Sequence, residues 1–498
     1  MRIRKYFFLL TIPAVAAVTG CNKLKDFGDT NNNQNATSQP LPSALLTHAE
    51  AVIGEALPSA QTGYIGAQRG YMTFTLPGLY AQYLSQTQYT DESLYSVPQS
   101  NLGPEYSGVL MDLQTIINTN TSKNQTNVAK ILQQFVFWTI TDRWGDVPYS
   151  EALQGSLSPK YDKQEDIYKG MIATLKATVD EFDATSVISG DIVYAGDVAK
   201  WKKLANSLRM LMSLQLSKRY PGASDYAATE FKAALNHAAG HISTNADNFT
   251  FNYPGGQYKN PWFSVYNGRK DYGESKTMTD LMASLNDARQ TVFGGKTELQ
   301  DKSNAEWDDA SAKGVPYGWK RADAEAFTGA NPDWARALRG DFREENDPMV
   351  LIGAAHVMLA RAEAADYGWT SDNLATTYAN GITLSYEQWG LPAPVASFFT
   401  QAGVALTASA GTGANLQQIA IQRYIASYPN GLQGWNIWRK TGYPTLTPAR
   451  DATNSSKQIP RRYVYGQSEY GTNKEATEAA AAAIGGDTQD TRVWWDKQ

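Results

Sequence analysis

After Leu41, apolar residues recur along most of the chain at intervals of three and four, a spacing that predicts helices. In 198–216, Trp201, Leu204, Leu208, Leu211, Met212 and Leu216 fall on one helical face. Similar stripes run through 128–141, 167–182 and 351–365. In the last, Leu351, Ala355, Met358, Leu359, Ala362 and Ala365 form a narrow seam of small residues suited to close helix packing. Turn residues at 145–148, 155–159, 221–224 and 390–394 separate the helices. Between about 242 and 345 the helical period mostly disappears, with one helix expected at 276–289. This stretch is rich in Gly, Asn, Asp, Tyr and Trp. A long irregular insertion with that aromatic content is the first place to expect a binding site.

The expected fold class is therefore mainly α, with helices on both sides of an irregular, loop-rich insertion. Trp201-x-x-Leu204 is similar to the start of a tetratricopeptide repeat, but the full consensus does not recur cleanly, so degenerate helix pairs are expected. No linker divides 41–498, which reads as a single domain. The alanine tract 479–483 reads as a helical turn or loop.

The N-terminus changes the picture of where the protein works. Arg2, Arg4 and Lys5 precede an apolar stretch, 6–18, too short to cross a bilayer core of about 30 Å as a helix. Val18-Thr19-Gly20-Cys21 follows, with small residues at the cleavage point and the only cysteine of the chain just after it. We read 1–20 as a lipoprotein signal peptide, Cys21 as the acylation site, and the polar, Asn-rich stretch 21–40 as a flexible tether between lipid and domain. The full chain holds 44 basic and 49 acidic residues, a net charge of −5. Cleaved after Gly20 it loses three cations and no acid, leaving 41 against 49, or −8. That balance argues against a nucleic-acid binder, which needs a basic patch to displace counterions.

A search for catalytic chemistry is mostly negative. No G-x-S-x-G elbow, P-loop, dinucleotide fingerprint or EF-hand loop is present, and the lone cysteine is taken by the lipid site. His237 and His241 have helical spacing but lack an intervening glutamate, and Gly240 weakens a helix there, so a surface pair is the expectation and no metal site is proposed. His48 and His356 stand alone and are expected to be simply hydrogen-bonded. The adjacent acids Asp308/Asp309 and Glu344/Glu345 read as solvated charge, because neighbours in sequence do not set the opposed carboxylates of glycoside hydrolysis. No cofactor is implied.

The block Thr141-Asp142-Arg143-Trp144-Gly145-Asp146-Val147-Pro148-Tyr149-Ser150-Glu151-Ala152 resembles a signature of SusD/RagB-type nutrient-binding outer-membrane lipoproteins of Bacteroidetes. Further blocks follow in order: Gly314-Val315-Pro316-Tyr317-Gly318, Leu359-Ala360-Arg361-Ala362-Glu363-Ala364 and Tyr378-Ala379-Asn380-Gly381-Ile382. Then come Ile421-Gln422-Arg423-Tyr424, Trp438-Arg439-Lys440-Thr441-Gly442-Tyr443-Pro444, Ile459-Pro460-Arg461-Arg462 and Trp494-Trp495-Asp496. One departure stands out: relatives often read Asp-Pro-Arg where this chain has Asp287-Ala288-Arg289, which predicts a less rigid turn. The resemblance implies a mainly α fold, a tetratricopeptide-like helical scaffold with an irregular, loop-rich ligand-binding insertion, and a cell-surface binding protein of the outer membrane rather than an enzyme. It would capture oligosaccharides, or in some branches peptides, for a SusC-like TonB-dependent transporter. A glycoside hydrolase is the remaining, least favoured reading.

Within this frame, Trp144, Asp146 and Tyr149 are read as holding helices together, and Trp369, Trp389, Trp435 and Trp438 as core. A sugar offers a face of C–H groups to aromatic rings and a rim of hydroxyls to polar side chains. The stretch 260–272 supplies both kinds, with Trp262, Tyr266 and Tyr272 as rings and Asn267 and Arg269 as polar contacts. Tyr317 and Trp319 form a second aromatic cluster around Gly318, and Tyr89 and Tyr95 bound a third, in a loop that the resemblance places near the ligand region. These nine residues are the candidate glycan contacts.

Overall fold

The computed structural model describes residues 40–55, 76–96, 101–300 and 303–497. Cys21, the expected signal peptide and the expected tether up to residue 39 lie outside them. Helix α1 (Pro42–Ile53) packs on α2 (Met111–Thr119), and α2 on α3 (Lys123–Trp144). From α3 onward, helices pack in consecutive pairs. The pairs are α3 with α4 (Gln164–Glu181), and α5 (Val198–Gln215) with α6 (Tyr226–Leu235). After an interruption that carries α7 (Lys276–Ser284) and α8 (Arg321–Ala330), α9 (Ala354–Asp366) pairs with α10 (Leu374–Gln388). Helix α11 (Leu416–Ala426) then pairs with α12 (Gly431–Thr441). Contacts α4–α5, α5–α9 and α9–α11 join one pair to the next, so Pro42–Gln498 forms one compact unit.

Local sequence explains where these helices start. The Asp197 carboxylate accepts from the amides of Ala199 and Lys200, Asn373 accepts from Thr376, and Asn430 from Gln433. Each satisfies a first-turn donor that the helix cannot pair itself. The apolar stripe of 198–216 is buried throughout α5, including Trp201 and Leu204. The 351–365 stripe is shorter than its spacing predicts. Met349–Ile352 is a strand, paired antiparallel with Phe249–Phe251, and the helix begins only at Ala354, whose amide donates to Asn248 Oδ1 at 2.8 Å. Leu351 therefore belongs to the sheet, because pairing with a distant strand overrides its helical spacing. Likewise the helix expected at 276–289 ends at Ser284, and the alanine tract lies within the helix Lys474–Ala483.

Buried polar networks tie the pairs together. Glu363 on α9, fully buried, accepts from Arg423 on α11 and Lys440 on α12. Asp142 on α3 accepts from Trp495 Nε1 at 2.9 Å, Tyr168 and Asn436, while Arg439 donates to its carbonyl at 2.7 Å. The Arg439 guanidinium lies 3.5 Å from the centre of the Trp435 ring. Trp144 donates to the carbonyl of Val464, the Asp146 carboxylate accepts the amide of Gln164 at the start of α4, and Tyr149 bonds Gln134. The Asp287-Ala288-Arg289 turn is pinned without proline. Its two charges pair in the interior, with Arg289 also donating to Ser385 and Gln422 and Tyr386 donating to Asp287.

Between the second and third helix pairs the chain is held by short antiparallel ladders rather than long elements. Strand β1 (Leu84–Gln86) pairs with β3 (Tyr272–Glu274), β2 (Phe249–Phe251) with β6 (Met349–Ile352), and β4 (Gly294–Gly295) with β5 (Arg336–Ala337). Among the described residues no helix is long and apolar enough to cross a membrane.

Candidate functional site

The β1–β3 ladder is what brings the candidate loops together. Its register sets Gln86 opposite Tyr272, and the Thr87 amide extends the pairing to the Asp271 carbonyl at 2.8 Å. The loop 87–95 is thereby laid beside 267–271. Strand β3 also recruits the glycine-rich loop: the Val315 amide donates to the Glu274 carbonyl at 2.9 Å, and Lys276 N donates back to Val315 O at 2.8 Å. Gly318 then turns with φ +66°, and a Cβ there would meet Ala449 Cα at 2.4 Å, so this close crossing admits only glycine. Across the crossing Asp451 N donates to Gly318 O at 3.0 Å, and Lys320 N to Asp451 Oδ2 at 3.0 Å. Thr453 N reaches Leu94 O at 2.8 Å. Three segments far apart in sequence, 87–95, 314–321 and 449–453, are woven into one surface beside 267–271.

On that surface Tyr89 is the most exposed candidate ring, with 62% of its area open to solvent. The guanidiniums of Arg269 and Arg321 lie 5.9 and 5.8 Å from its ring centre. Trp319 is half-buried. Phe327 meets it edge to face at 6.3 Å, and the Arg450 guanidinium lies 4.6 Å from its centre. The arginines are neutralised locally. Arg269 pairs with Asp271 (Nε–Oδ2 2.7 Å), Arg321 with Glu325 (2.8 Å), and Arg450 with Asp451 (2.6 Å) and with Asp323. Asp451 is held below its ordinary range chiefly by the Arg450 bond. Asn267 is exposed on the neighbouring turn.

Beneath the loop, Glu92 accepts from Gln86 Nε2 at 2.8 Å and from the Tyr272 hydroxyl at 3.4 Å, while Gln86 Oε1 receives the Ser93 amide. Burial raises the Glu92 carboxyl above its usual range. Tyr272, half-buried, so acts as a strut under the loop that carries Tyr89.

Three expected contacts are corrected by burial. Trp262 retains 1% of its surface, Tyr266 3% and Tyr95 1%, and a ring enclosed on both faces offers a ligand no stacking surface. Tyr266 is an internal tie: its hydroxyl donates to Tyr272 O at 3.0 Å and accepts the Ala337 amide at 2.7 Å, with Arg343 4.2 Å over the ring. Tyr95 accepts the Ala449 amide at 2.8 Å, and burial pushes its hydroxyl up to about 12. Trp262 sits in the first turn of Pro261–Tyr266, capped by Asn260. Tyr317 is half-buried, its hydroxyl raised well above the ordinary range by burial.

Strand β3 also carries a buried carboxyl with no cation beside it among the described residues. Glu274 accepts only from Gln290 Nε2, at 2.8 Å, and burial raises it to about 8. Elsewhere in the insertion, an open groove of about 690 Å³ is lined by Ser311 and two ion pairs, Lys296–Asp309 and Lys313–Asp333. It has no aromatic wall, and none of the nine candidate contacts lines it.

The histidines are engaged one by one. His237 pairs with Asp180, His241 lies against Arg361, His48 bonds Asp112, and His356 accepts the Gly353 amide while donating to Ala426 O. No cluster of three or more potential metal ligands occurs among the described residues.

The family profile described as "starch-binding associating with outer membrane" matches residues 34–466. The chain belongs to the SusD-like family. Solved structures agree in fold. A chitin-binding SusD homolog from Flavobacterium johnsoniae superposes with TM-score 0.77 at 23% identity, covering 92% of this chain and 99% of its own. A SusD homolog from Bacteroides fragilis gives 0.74 at 25% identity, covering 92% and 100%. A further chitin-binding protein gives 0.73 at 24%, with the same coverage. No curated protein matches the chain. This SusD-like chain thus has the family's helical scaffold of tetratricopeptide-like pairs.

Two arginines of the candidate surface, Arg321 and Arg450, carry no mark in the sequence analysis. Arg321 stands two residues after Trp319 and could have been found by extending that cluster. Arg450 arrives from another segment and has no local signal.

Proposed function

We propose that this SusD-like protein captures glycan at the outer-membrane surface and passes it to a SusC-like TonB-dependent transporter. The observation that carries the reading is the pair of accessible rings, Tyr89 and Trp319, each flanked by guanidinium groups on loops locked to the scaffold. A ring face packs on the C–H side of a sugar, while guanidinium edges and their partner carboxylates bond its hydroxyls. Tyr89, Trp319, Arg269, Asn267, Arg321 and Arg450 are the proposed contacts, with Tyr272 and Tyr317 supporting them from below. The binding description of the family, and the chitin-binding proteins that share the fold, support a sugar ligand and a binder rather than an enzyme.

Native affinity electrophoresis through gels containing single polysaccharides tests this. At least one polymer should retard the protein, and Tyr89→Ala and Trp319→Ala should each restore mobility. Equal retardation of the wild type and both variants would remove these residues from the site. Incubation with the retarding polymer should release no reducing ends. Acylation at Cys21 is proposed as the anchor, so Cys21→Ala should leave the membrane fraction. Co-purification of a large outer-membrane barrel with the wild-type protein tests the transporter.

A further inference from the structure

Resting on that proposed glycan site, we infer that its ligand is an uncharged, hydroxyl-rich polysaccharide rather than one built from uronates. The reason is the state of the arginines. Arg269 turns Nε and Nη2 to Asp271, Arg450 turns the same two atoms to Asp451, and Arg321 gives Nε to Glu325. Each guanidinium is thus engaged by a carboxylate, Arg450 by Asp323 as well and Arg321 also reaching Gln88 Oε1 at 3.5 Å, with other N–H groups left over. Exposed Lys270 and Lys320 at the edge of the surface are matched by the exposed Asp91 and Asp323. The surface around Tyr89 and Trp319 is therefore balanced in charge but dense in adjacent donors and acceptors.

That combination suits a hydroxyl, which donates and accepts at once. The remaining guanidinium N–H groups donate to it, and a neighbouring carboxylate oxygen accepts from it. A uronate carboxylate fits poorly. It finds the best guanidinium edges already occupied and meets the carboxylates of Asp271, Asp323 and Asp451 at close range. Binding to a balanced surface also lacks the strong salt dependence of an unbalanced one.

Purified full-length protein would be assayed for retention on neutral polymers (soluble starch, xylan, galactomannan and chitin oligosaccharides) and on polygalacturonate, at 50 and 500 mM NaCl. The expected result is retention by at least one neutral polymer, with Kd changing less than about twofold between the two salts. Polygalacturonate should bind at least tenfold more weakly. In Asp271→Asn/Asp323→Asn/Asp451→Asn, which keeps the hydrogen-bonding shapes but leaves Arg269 and Arg450 without a carboxylate partner, polygalacturonate affinity should rise several-fold and become salt-sensitive. Tight, salt-sensitive binding of polygalacturonate by the wild type overturns the inference while leaving glycan capture standing. Retention by no polymer removes glycan capture itself, and this inference with it.

Discussion

Two glutamates, equally buried, show two ways this fold treats a carboxyl, one in the helical scaffold and one in the irregular insertion. Glu363 lies between α9, α11 and α12 with Arg423 and Lys440 on its two oxygens. Burial alone would raise its carboxyl, yet the two cations hold it below the ordinary range. Glu274, on the strand that assembles the candidate site, has only the amide of Gln290 and is raised by burial to about 8. The scaffold buries charge in closed networks that specify which helices meet. The insertion has one such closed pair, Asp287 with Arg289, but on the strand beside the candidate site it buries a carboxyl whose raised range favours the protonated form, and around that site its paired charges lie at the surface. The contrast is between a carboxylate held charged by two cations and a carboxyl that burial favours protonated.

The largest expected effect comes from opening the scaffold network. Glu363→Ala should cost about 3–5 kcal/mol in denaturant unfolding, because two cations are left buried without an anion. A loss below about 1 kcal/mol would mean that the network does not hold these helices. Trp262→Ala should cost a similar ~3–4 kcal/mol as a core cavity. In the fraction that remains folded, glycan affinity should be unchanged. A selective loss of binding there would return Trp262 to the site.

Glu274→Gln should do the opposite of both. A carboxyl raised in the folded state contributes stability that is complete below the ordinary glutamate range and is lost as pH rises toward 8. The amide has no such loss, so the variant should gain on the order of 4 kcal/mol over wild type near pH 8. At pH 4 the two should be nearly equal. Parallel stability curves across that window would show that Glu274 is not protonated in the fold. The Glu363 contribution runs the other way, being present at neutral pH and lost only in acid, so pH acts on these two carboxyls in opposite senses. The smallest effects are on binding: Tyr89→Ala and Trp319→Ala should each weaken glycan affinity by ~1 kcal/mol or more and leave unfolding almost unchanged. Calorimetric titration beside thermal melts would read both.

The helical part of this division was legible in the residues. The apolar spacing of 198–216 runs through α5, and Trp435, three before Trp438, marks the core side of α12. Where the reading slipped, a distant partner was responsible. Leu351 keeps helical spacing but is captured by the strand Phe249–Phe251. The insertion was correctly singled out as irregular and aromatic, but its rings could not be sorted. Trp262 and Trp319 stand in similar company, each near Gly, Tyr and a cation, yet one retains 1% of its surface and the other is half-buried against Phe327.

By itself, then, the sequence determined the helices, their order and the family, because these depend on periodicity, caps and ordered motifs that are written within a few residues. It also marked the stretch in which to look for ligand contacts. Which rings face solvent was decided only by tertiary structure. Arg343 and Ala337 close over Tyr266 from 70 residues away or more. Ala449 meets Gly318 and delivers Arg450 to Trp319 from a segment with no local mark of function. Exposure is a property of what packs against a side chain, and the packing partners of these loops lie far along the chain.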